Sequence, residues 1–163
     1  MSADLSSALA ASGHLAESGE GDYALQGFHQ VHVCEASAIP SVGAIFREAG
    51  CFLEMITAVD HRFDDVGCFR LVYVFNQLEE ANRHRIHVDL GGAEAAPSLV
   101  ESFPAADWME REVYDMYGIT FEGHPDLRRI LLPEDADFFA LRKDFGQMDP
   151  PSEEDEDDEG GDE

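Results

Sequence analysis

His124 and Asp126, on either side of Pro125, are the residues whose types and spacing could do acid–base chemistry. A histidine beside a carboxylate can be oriented as a general base near neutral pH. The surrounding sequence contains no visible nucleophile, no glycine-rich phosphate loop and no third metal ligand. We therefore expect His124, Pro125 and Asp126 to shape a turn in which Asp126 accepts local backbone hydrogen bonds. A free-standing acid–base enzyme remains the alternative hypothesis.

The other histidines and the cysteines do not form a recognisable metal site. His29 and His32, like His84 and His87, are three residues apart within predicted strands. Strand alternation sends such residues to opposite faces, so neither pair should converge on an ion. The three cysteines are odd in number and lack a C-x-x-C spacing, which argues against disulfide frameworks, zinc sites and iron–sulfur clusters. We expect buried, reduced thiols at Cys34, Cys51 and Cys68.

The chain is strongly acidic, with a formal net charge of −25. Residues 149–163 carry ten acidic residues and no basic one, so we predict a disordered acidic tail there. The rest still has 25 acidic residues against 10 basic ones, which disfavours free nucleic acid as a ligand. Neither a membrane-spanning run nor a secretory signal is visible. These features predict a cytosolic protein that can still join a membrane complex through a partner.

The elements that must position these residues follow from hydrophobic patterning. Strands are predicted at residues 28–36, 51–60, 68–78 and 84–90, and helices at residues 5–15, 40–50 and 107–117. Asp107 and Glu110 fit a helix capping box, and Met109, Val113 and Met116 fit a buried stripe that ends before Gly118. This order predicts an α+β fold, with a mainly antiparallel sheet of about four strands covered by helices.

The domain organisation follows from the same patterns. Residues 1–22 read as a short helix or flexible segment, and residues 23–118 as the α+β domain, with a linker at residues 91–97. Residues 119–148 lack strand alternation and read as an extended arm that docks on another protein of a complex. Residues 149–163 form the acidic tail.

Basic residues cluster in the predicted arm. Arg128, Arg129, Arg142 and Lys143 are four of the ten basic residues and lie within sixteen positions. The apolar runs ILLP and FFAL separate them, and the first contains Leu131 and Leu132. Arginine beside apolar side chains is typical of protein–protein interfaces, so we favour docking on a partner. The alternative is that the segment packs back on its own sheet.

The predicted last helix carries several charges. Arg111 and Glu112 could bind a partner, or they could belong to a solvated helix face on which Arg111 pairs with Asp115.

A long stretch of this region resembles a known family. Residues 107–135, DWMEREVYDMYGITFEGHPDLRRILLPED, closely resemble the signature of the thirty-kilodalton subunit of respiratory complex I, the bacterial form of which is NADH–quinone oxidoreductase. The match continues at LRKDF, and upstream FLEMITAVDH, FRLVYVFNQL and HRIHVDL follow the order of the family's strands. The resemblance covers roughly residues 28–145. Ala136, Phe138 and Ala140 depart from it, since the family usually has Trp, Gly and Pro there.

The resemblance implies a structural subunit that binds no cofactor itself. It implies a place in the peripheral arm of a proton-translocating complex, on the cytoplasmic side of the membrane. NADH, FMN, iron–sulfur clusters and quinone would belong to partner subunits. The partners would be the forty-nine-kilodalton subunit and the adjacent iron–sulfur subunit, which together form the quinone-reducing module. The alternative is a same-family subunit of a membrane-bound hydrogenase or of a ferredoxin- or deazaflavin-linked complex.

The arginine cluster and the resemblance together predict a set of partner-binding residues. That set is Arg111, Glu112, His124, Asp126, Arg128, Arg129, Leu131, Leu132, Arg142 and Lys143.

Overall fold

The computed structural model of the chain describes residues 2–77, 82–92 and 94–146. The predicted acidic tail and the last two residues of the predicted arm lie outside these ranges. The helices are α1 (Ser2–Ser12), α2 (Tyr23–Gln26), α3 (Ile39–Glu48) and α4 (Ala106–Tyr117). The strands are β1 (Leu15–Glu20), β2 (Gln30–Cys34), β3 (Phe52–Asp60), β4 (Phe69–Gln77), β5 (Asn82–Asp89), β6 (Ala95–Pro97) and β7 (Thr120–Glu122).

The main sheet has five strands in the order β1-β2-β5-β4-β3. All neighbours are antiparallel except β2 and β5, so the predicted α+β class with a mainly antiparallel sheet is confirmed. The fifth strand is β1, which lies in the segment predicted to be a short helix or flexible. Its sequence LAESGE lacks β-branched and aromatic residues, and it pairs with β2 as an edge strand.

A second, two-stranded sheet joins regions predicted to be irregular. Strands β6 and β7 pair in parallel, with Ala95 opposite Thr120 and Pro97 opposite Glu122. The predicted linker at residues 91–97 therefore contains a strand. From Gly123 to Gly146 the described chain forms turns and bends and no strand, so this part of the predicted arm is not uniformly extended. Strands of three residues are too short to show a hydrophobic period.

The hydrophobic core lies on one face of the main sheet. Strand β4 contributes four nearly unexposed side chains, and α1, α3 and α4 pack against them within one cluster. The ring of Phe46 on α3 stacks on that of Phe75 at 4.3 Å. Val113 lies in this cluster with Met109 packed against it, and Met116 is buried, so the predicted stripe of α4 is confirmed. Burial of these apolar side chains stabilises the layered arrangement.

The start of α4 differs from the prediction of a capping box. The helix begins at Ala106, whose N–H donates to the Phe103 carbonyl at 2.8 Å, and no side chain of the described residues caps it. Glu110 is buried and accepts hydrogen bonds from Ser98 Oγ at 2.6 Å and the Leu99 N–H at 2.7 Å. Its carboxylate is therefore used between segments rather than at the helix end. The predicted stop at Gly118 is confirmed, with φ of 76°.

The three cysteines are free and buried, as predicted. In the part of the chain that the structure covers, no helix is long and apolar enough to span a bilayer.

Candidate functional site

The candidate site is formed by α4 and the C-terminal segment, residues 123–146. Its centre is Asp115, a fully buried carboxylate on α4. One oxygen, Oδ2, accepts the N–H groups of Ile130, Leu131 and Leu132 at 3.0, 2.6 and 3.0 Å. The other accepts Arg129 Nη1 at 2.7 Å. The C-terminal segment is therefore curved around a single buried side chain.

The pKa of Asp115 is lowered by these hydrogen bonds. Burial alone would raise the pKa, but the three backbone N–H donors and Arg129 outweigh it and lower the pKa to about 2. Asp115 is therefore ionised at neutral pH, and its charge is compensated inside the chain.

Arg129 faces inward although the sequence suggested a partner-facing arginine. Besides Asp115, its guanidinium donates to the carbonyls of Ala136 at 2.8 Å and Phe138 at 3.2 Å. The same group lies 5.1 Å from the centre of the Phe139 ring. Arg129 thus connects α4 to the distal half of the C-terminal segment.

Arg142 is a second inward-facing arginine, at the C-terminal end of α4. Its Nε donates to the Tyr117 carbonyl at 2.6 Å, where the helix dipole favours a cation. Its Nη2 bonds Glu94 at 3.0 Å, and its guanidinium lies 4.5 Å from the Phe139 ring centre. At Gly118, φ is 76° and a Cβ would lie 2.7 Å from the Phe139 ring, so glycine is favoured where Arg142 and Phe139 approach the chain.

An ionic cluster missed by sequence reasoning anchors the far end of the C-terminal segment. Asp60 accepts the Lys143 N–H at 2.9 Å and Arg62 Nη2 at 2.8 Å. Arg62 also bonds Asp144 at 2.9 Å. The hydrogen bond from Arg62 holds the pKa of Asp60 well below its usual range. Only the tertiary fold brings Asp144 to Arg62, so nothing in the local sequence indicates the cluster.

The hydrogen bonds of His124 indicate a structural role. Its side chain is fully buried, Nε2 lies 3.1 Å from the Asp107 carbonyl, and Nδ1 accepts the Asp126 N–H at 3.0 Å. The neutral ring with its proton on Nε2 satisfies both contacts. The expectation that Asp126 accepts local backbone bonds was wrong, because the ring of His124 accepts instead. The Asp126 carboxylate pairs with Arg128 at 2.8 Å.

Arg111 does not make the predicted pair with Asp115. Its Nε donates to the Arg128 carbonyl at 3.2 Å, and its guanidinium lies 4.9 Å from the Trp108 ring centre. The Asp115 carboxylate faces the C-terminal segment, so it pairs with Arg129 instead. This hydrogen bond helps to hold the backbone at Arg128 in place.

Large side chains nevertheless project from this framework. Trp108, the single tryptophan of the chain, is 64% exposed, and Leu131 is 62% exposed. The Arg128 side chain is 64% exposed, and Glu112, one helical turn after Trp108, is also exposed. We call Trp108, Glu112, Arg128 and Leu131 the α4 surface. Sequence reasoning missed Trp108, although its place outside the Met109, Val113 and Met116 stripe was a usable signal.

The ten predicted partner-binding residues thus divide into two groups. The side chains of Arg111, His124, Arg129 and Arg142 are engaged within the chain, and Leu132 is half-buried. Glu112, Asp126, Arg128, Leu131 and Lys143 are exposed. Arg142 and Lys143 lie apart from the α4 surface, at the end of α4 and near Asp60. Binding of a partner by these residues stays a prediction.

The histidines of the sheet meet in a way the sequence did not show. His32 Nε2 lies 3.1 Å from His84 Nδ1 across β2 and β5, so the contact is between the two predicted pairs rather than within one. Burial lowers the pKa of each of these two to about 4, so both are neutral. Among the described residues no group of three or more His, Cys, Asp or Glu could hold a metal ion.

Comparisons with known proteins match this architecture. Residues 32–151 match the family model described as "Respiratory-chain NADH dehydrogenase, 30 Kd subunit". A curated NADH-quinone oxidoreductase subunit of Rhodobacter capsulatus is 39% identical over 139 residues, covering 81% of this chain and 69% of the relative. The subunit of the same name from Sinorhizobium medicae is 49% identical over 77 residues, covering 47% of this chain and 38% of the relative. The chain therefore spans less than half of the length of some curated relatives that it matches.

Two solved structures share the fold. The trypsin-resistant fragment of Nqo5 superimposes with a TM-score of 0.58 at 24% identity, covering 76% of this chain and 96% of the fragment. A chain of an archaeal membrane-bound sulfane sulfur reductase, a respiratory membrane complex, gives a TM-score of 0.73 at 22% identity, covering 88% of this chain and 84% of that one. At these identities the likeness concerns the fold alone. The family match over residues 32–151, in contrast, is a match of sequence, and it includes the signature on α4 and the C-terminal segment. The chain belongs to the family of the 30 Kd subunit of respiratory-chain NADH dehydrogenase.

Proposed function

We propose that this chain is a structural subunit, without a cofactor of its own, of a proton-translocating NADH–quinone oxidoreductase. In this proposal it lies in the peripheral arm on the cytoplasmic side of the membrane. It packs on the forty-nine-kilodalton subunit and the adjacent iron–sulfur subunit, and it stabilises the quinone-reducing module that they form. NADH, FMN, iron–sulfur clusters and quinone belong to its partners. Family membership and the names of the relatives support the proposal.

The α4 surface is the observation that carries the proposal. Trp108 and Leu131 are 64% and 62% exposed, and the Arg128 side chain is 64% exposed. Tryptophan and arginine are the residue types that dominate binding energy at interfaces. Asp115 holds the backbone at Leu131, so less backbone freedom remains to be lost there on binding. An exposed but rigid apolar surface fits a permanent partner.

The geometry of His124 disfavours the alternative of a free-standing acid–base enzyme. Both ring nitrogens are engaged with backbone groups, and the side chain is fully buried. A general base needs a free lone pair within reach of substrate.

Affinity purification from gently solubilised membranes tests the proposal. The tagged wild-type chain should recover subunits of the forty-nine-kilodalton type and of the iron–sulfur type. Trp108→Ala should weaken the affinity for these subunits by about thirty-fold, the effect of losing a typical interface hot spot, and so reduce their recovery. Phe63→Ala is the matched control, because Phe63 is also 64% exposed but lies in the β3–β4 loop.

Two results would change the proposal. Recovery of no complex subunits by the wild-type chain would refute it. Recovery of nickel–iron hydrogenase subunits instead would favour the related complex over the NADH-linked one.

A further inference from the structure

Residues 137–145 of the C-terminal segment surround a cleft near the C-terminal end of α4. Its volume is about 360 Å³, which is enough for one long side chain. None of the residues of the α4 surface lines it. We call it the aromatic cleft, and it is lined by Asp137, Phe138, Phe139, Arg142, Asp144 and Phe145.

Two aromatic rings of the aromatic cleft are open to solvent. The rings of Phe138 and Phe145 stack with their centres 5.0 Å apart, and these residues are 37% and 48% exposed. Leu141, which lies between them in sequence, is 51% exposed. This short stretch therefore leaves apolar area uncovered, and its burial on a partner would be favourable.

The backbone that carries these side chains is held by the rest of the chain. The Phe138 carbonyl accepts Arg129 Nη2 at 3.2 Å, and the Leu141 N–H donates to the Met116 carbonyl at 3.1 Å. Less backbone freedom at Phe138 and Leu141 therefore remains to be lost on binding.

The charged groups of the aromatic cleft leave one carboxylate uncompensated. Arg142 pairs with Glu94, and Asp144 pairs with Arg62. Asp137 is exposed and makes no hydrogen bond or ion pair with any residue in the described ranges. Its charge is therefore open to a cation from outside this part of the chain.

The Phe139 ring shows which cation suits such surroundings. Arg142 bonds Glu94 and lies 4.5 Å from the Phe139 ring centre, and Arg129 bonds Asp115 and lies 5.1 Å from the same centre. Each arginine thus combines a carboxylate with an aromatic ring, because a planar guanidinium can both pair and stack. The two exposed rings and the uncompensated carboxylate offer the same combination to an arginine from elsewhere.

We propose that the aromatic cleft receives an arginine side chain from a partner subunit. Its guanidinium pairs with Asp137 and lies against the rings of Phe138 and Phe145, and apolar groups beside it cover Leu141. The inference rests on the proposed function for the origin of the partner, and it adds the chemistry of a second contact, separate from the α4 surface.

Charge disfavours two other occupants. A second copy of this chain would bring another net charge of −25 to an acidic surface. Residues 149–163 of the same chain contain ten acidic residues and no basic one, so Asp137 would repel them.

Photo-crosslinking in the assembled complex tests the location. A benzophenone amino acid at Leu141, in the full chain, should crosslink to a partner subunit at a segment that contains an arginine. Reversing the charge of that arginine to aspartate in the partner should weaken assembly with the wild-type chain, and Asp137→Arg should restore it.

Competition for incorporation tests the charge. When a tagged variant is co-expressed with a differently tagged wild-type chain, Asp137→Arg should enter the complex about ten-fold less than wild type, the effect of losing a partly exposed ion pair. Glu48→Arg is the matched control, because it makes the same charge change at an exposed residue of α3, which does not line the aromatic cleft. Asp137→Arg should leave the urea midpoint of the isolated chain unchanged, since Asp137 is exposed.

The outcomes separate this inference from the proposed function. A complex that assembles but gives no crosslink at Leu141, or a crosslinked segment without an arginine, would overturn the inference alone. Equal incorporation of Asp137→Arg and Glu48→Arg would do the same, as would a crosslink to a second copy or to residues 147–163. If the wild-type chain enters no complex, the proposed function fails and the inference fails with it.

Discussion

Replacing Asp115 by asparagine removes one charge from the centre of the site and keeps the side-chain shape. In the native chain this carboxylate accepts three successive backbone N–H groups and the Arg129 guanidinium. An asparagine oxygen can accept some of these bonds but cannot neutralise Arg129. We therefore expect Asp115→Asn to loosen the C-terminal segment and to destabilise the fold.

The magnitude follows from the pKa of Asp115. Its lowering from the ordinary 3.8 to about 2 corresponds to about 2–3 kcal/mol of stabilisation at neutral pH. Loss of hydrogen bonds to a charged group gives a similar figure of about 1.5–3 kcal/mol, and the two describe the same interaction. We expect Asp115→Asn to lower the unfolding free energy by about 2–4 kcal/mol at pH 7.

The pH dependence has a defined sign. Because the pKa of Asp115 is lowered in the folded state, its stabilisation is fully present above the ordinary aspartate pKa of 3.8. It is lost as the pH falls towards about 2, where the folded carboxylate binds its proton. The difference in unfolding free energy between wild type and Asp115→Asn should therefore become smaller as the pH falls from 3.8 to about 2.

Urea unfolding followed by circular dichroism measures this difference at a series of pH values. The denaturation midpoint should fall while the slope with urea stays the same. A loss below about 0.5 kcal/mol at pH 7, the range of ordinary surface substitutions, would refute the reasoning. A loss as large near pH 2 as at pH 7 would refute it equally.

Three further substitutions test the same framework. Arg129→Ala should lower the unfolding free energy by about 2–4 kcal/mol because it removes the cation that pairs with the buried Asp115 carboxylate, whereas exposed Arg128→Ala should change it by less than about 0.5 kcal/mol, both by urea unfolding. Gly118→Ala should cost about 1–3 kcal/mol in thermal unfolding, because φ is 76° and the new Cβ would lie 2.7 Å from the Phe139 ring. Glu110→Gln should change stability at pH 7 by less than about 1 kcal/mol, because burial raises the pKa of this carboxyl and the amide avoids the cost of a buried charge.

Each of these expectations has a contrary result. Equal losses in Arg128→Ala and Arg129→Ala would mean that the inward placement of Arg129 is unimportant. An unchanged melting temperature for Gly118→Ala would contradict the close approach of the Phe139 ring to Gly118. The pH dependence of the Glu110→Gln effect has a defined sign. Because the pKa of Glu110 is raised in the folded state, wild type gains stability relative to Glu110→Gln as the pH falls through the folded-state pKa. A relative loss on acidification would contradict the burial argument.

The long elements could be predicted because their patterns are strong. Strand β4 alternates large apolar side chains, and α3 and α4 repeat them with a helical period. Strand β1 could not be predicted, because backbone pairing rather than side-chain pattern defines it. The capping box failed because Glu110 meets Ser98 and Leu99, a contact made only in the folded chain.

The site could be located from sequence but not oriented. The cluster of arginines lies in the segment that forms the candidate site, yet the inward direction of Arg129 and Arg142 depends on Asp115 and on the C-terminal end of α4. The pairing of His32 with His84 depends on the parallel register of β2 and β5. No local spacing encodes either feature, because each joins segments distant in sequence.

The most direct test is a cryo-electron microscopy structure of the complex purified through this chain. We expect the C-terminal segment to lie against the forty-nine-kilodalton and iron–sulfur subunits, with Trp108 and Leu131 buried in the contact. An assembled complex in which Trp108 and Leu131 remain open to solvent would contradict the proposed docking, as would a purified chain without those partners.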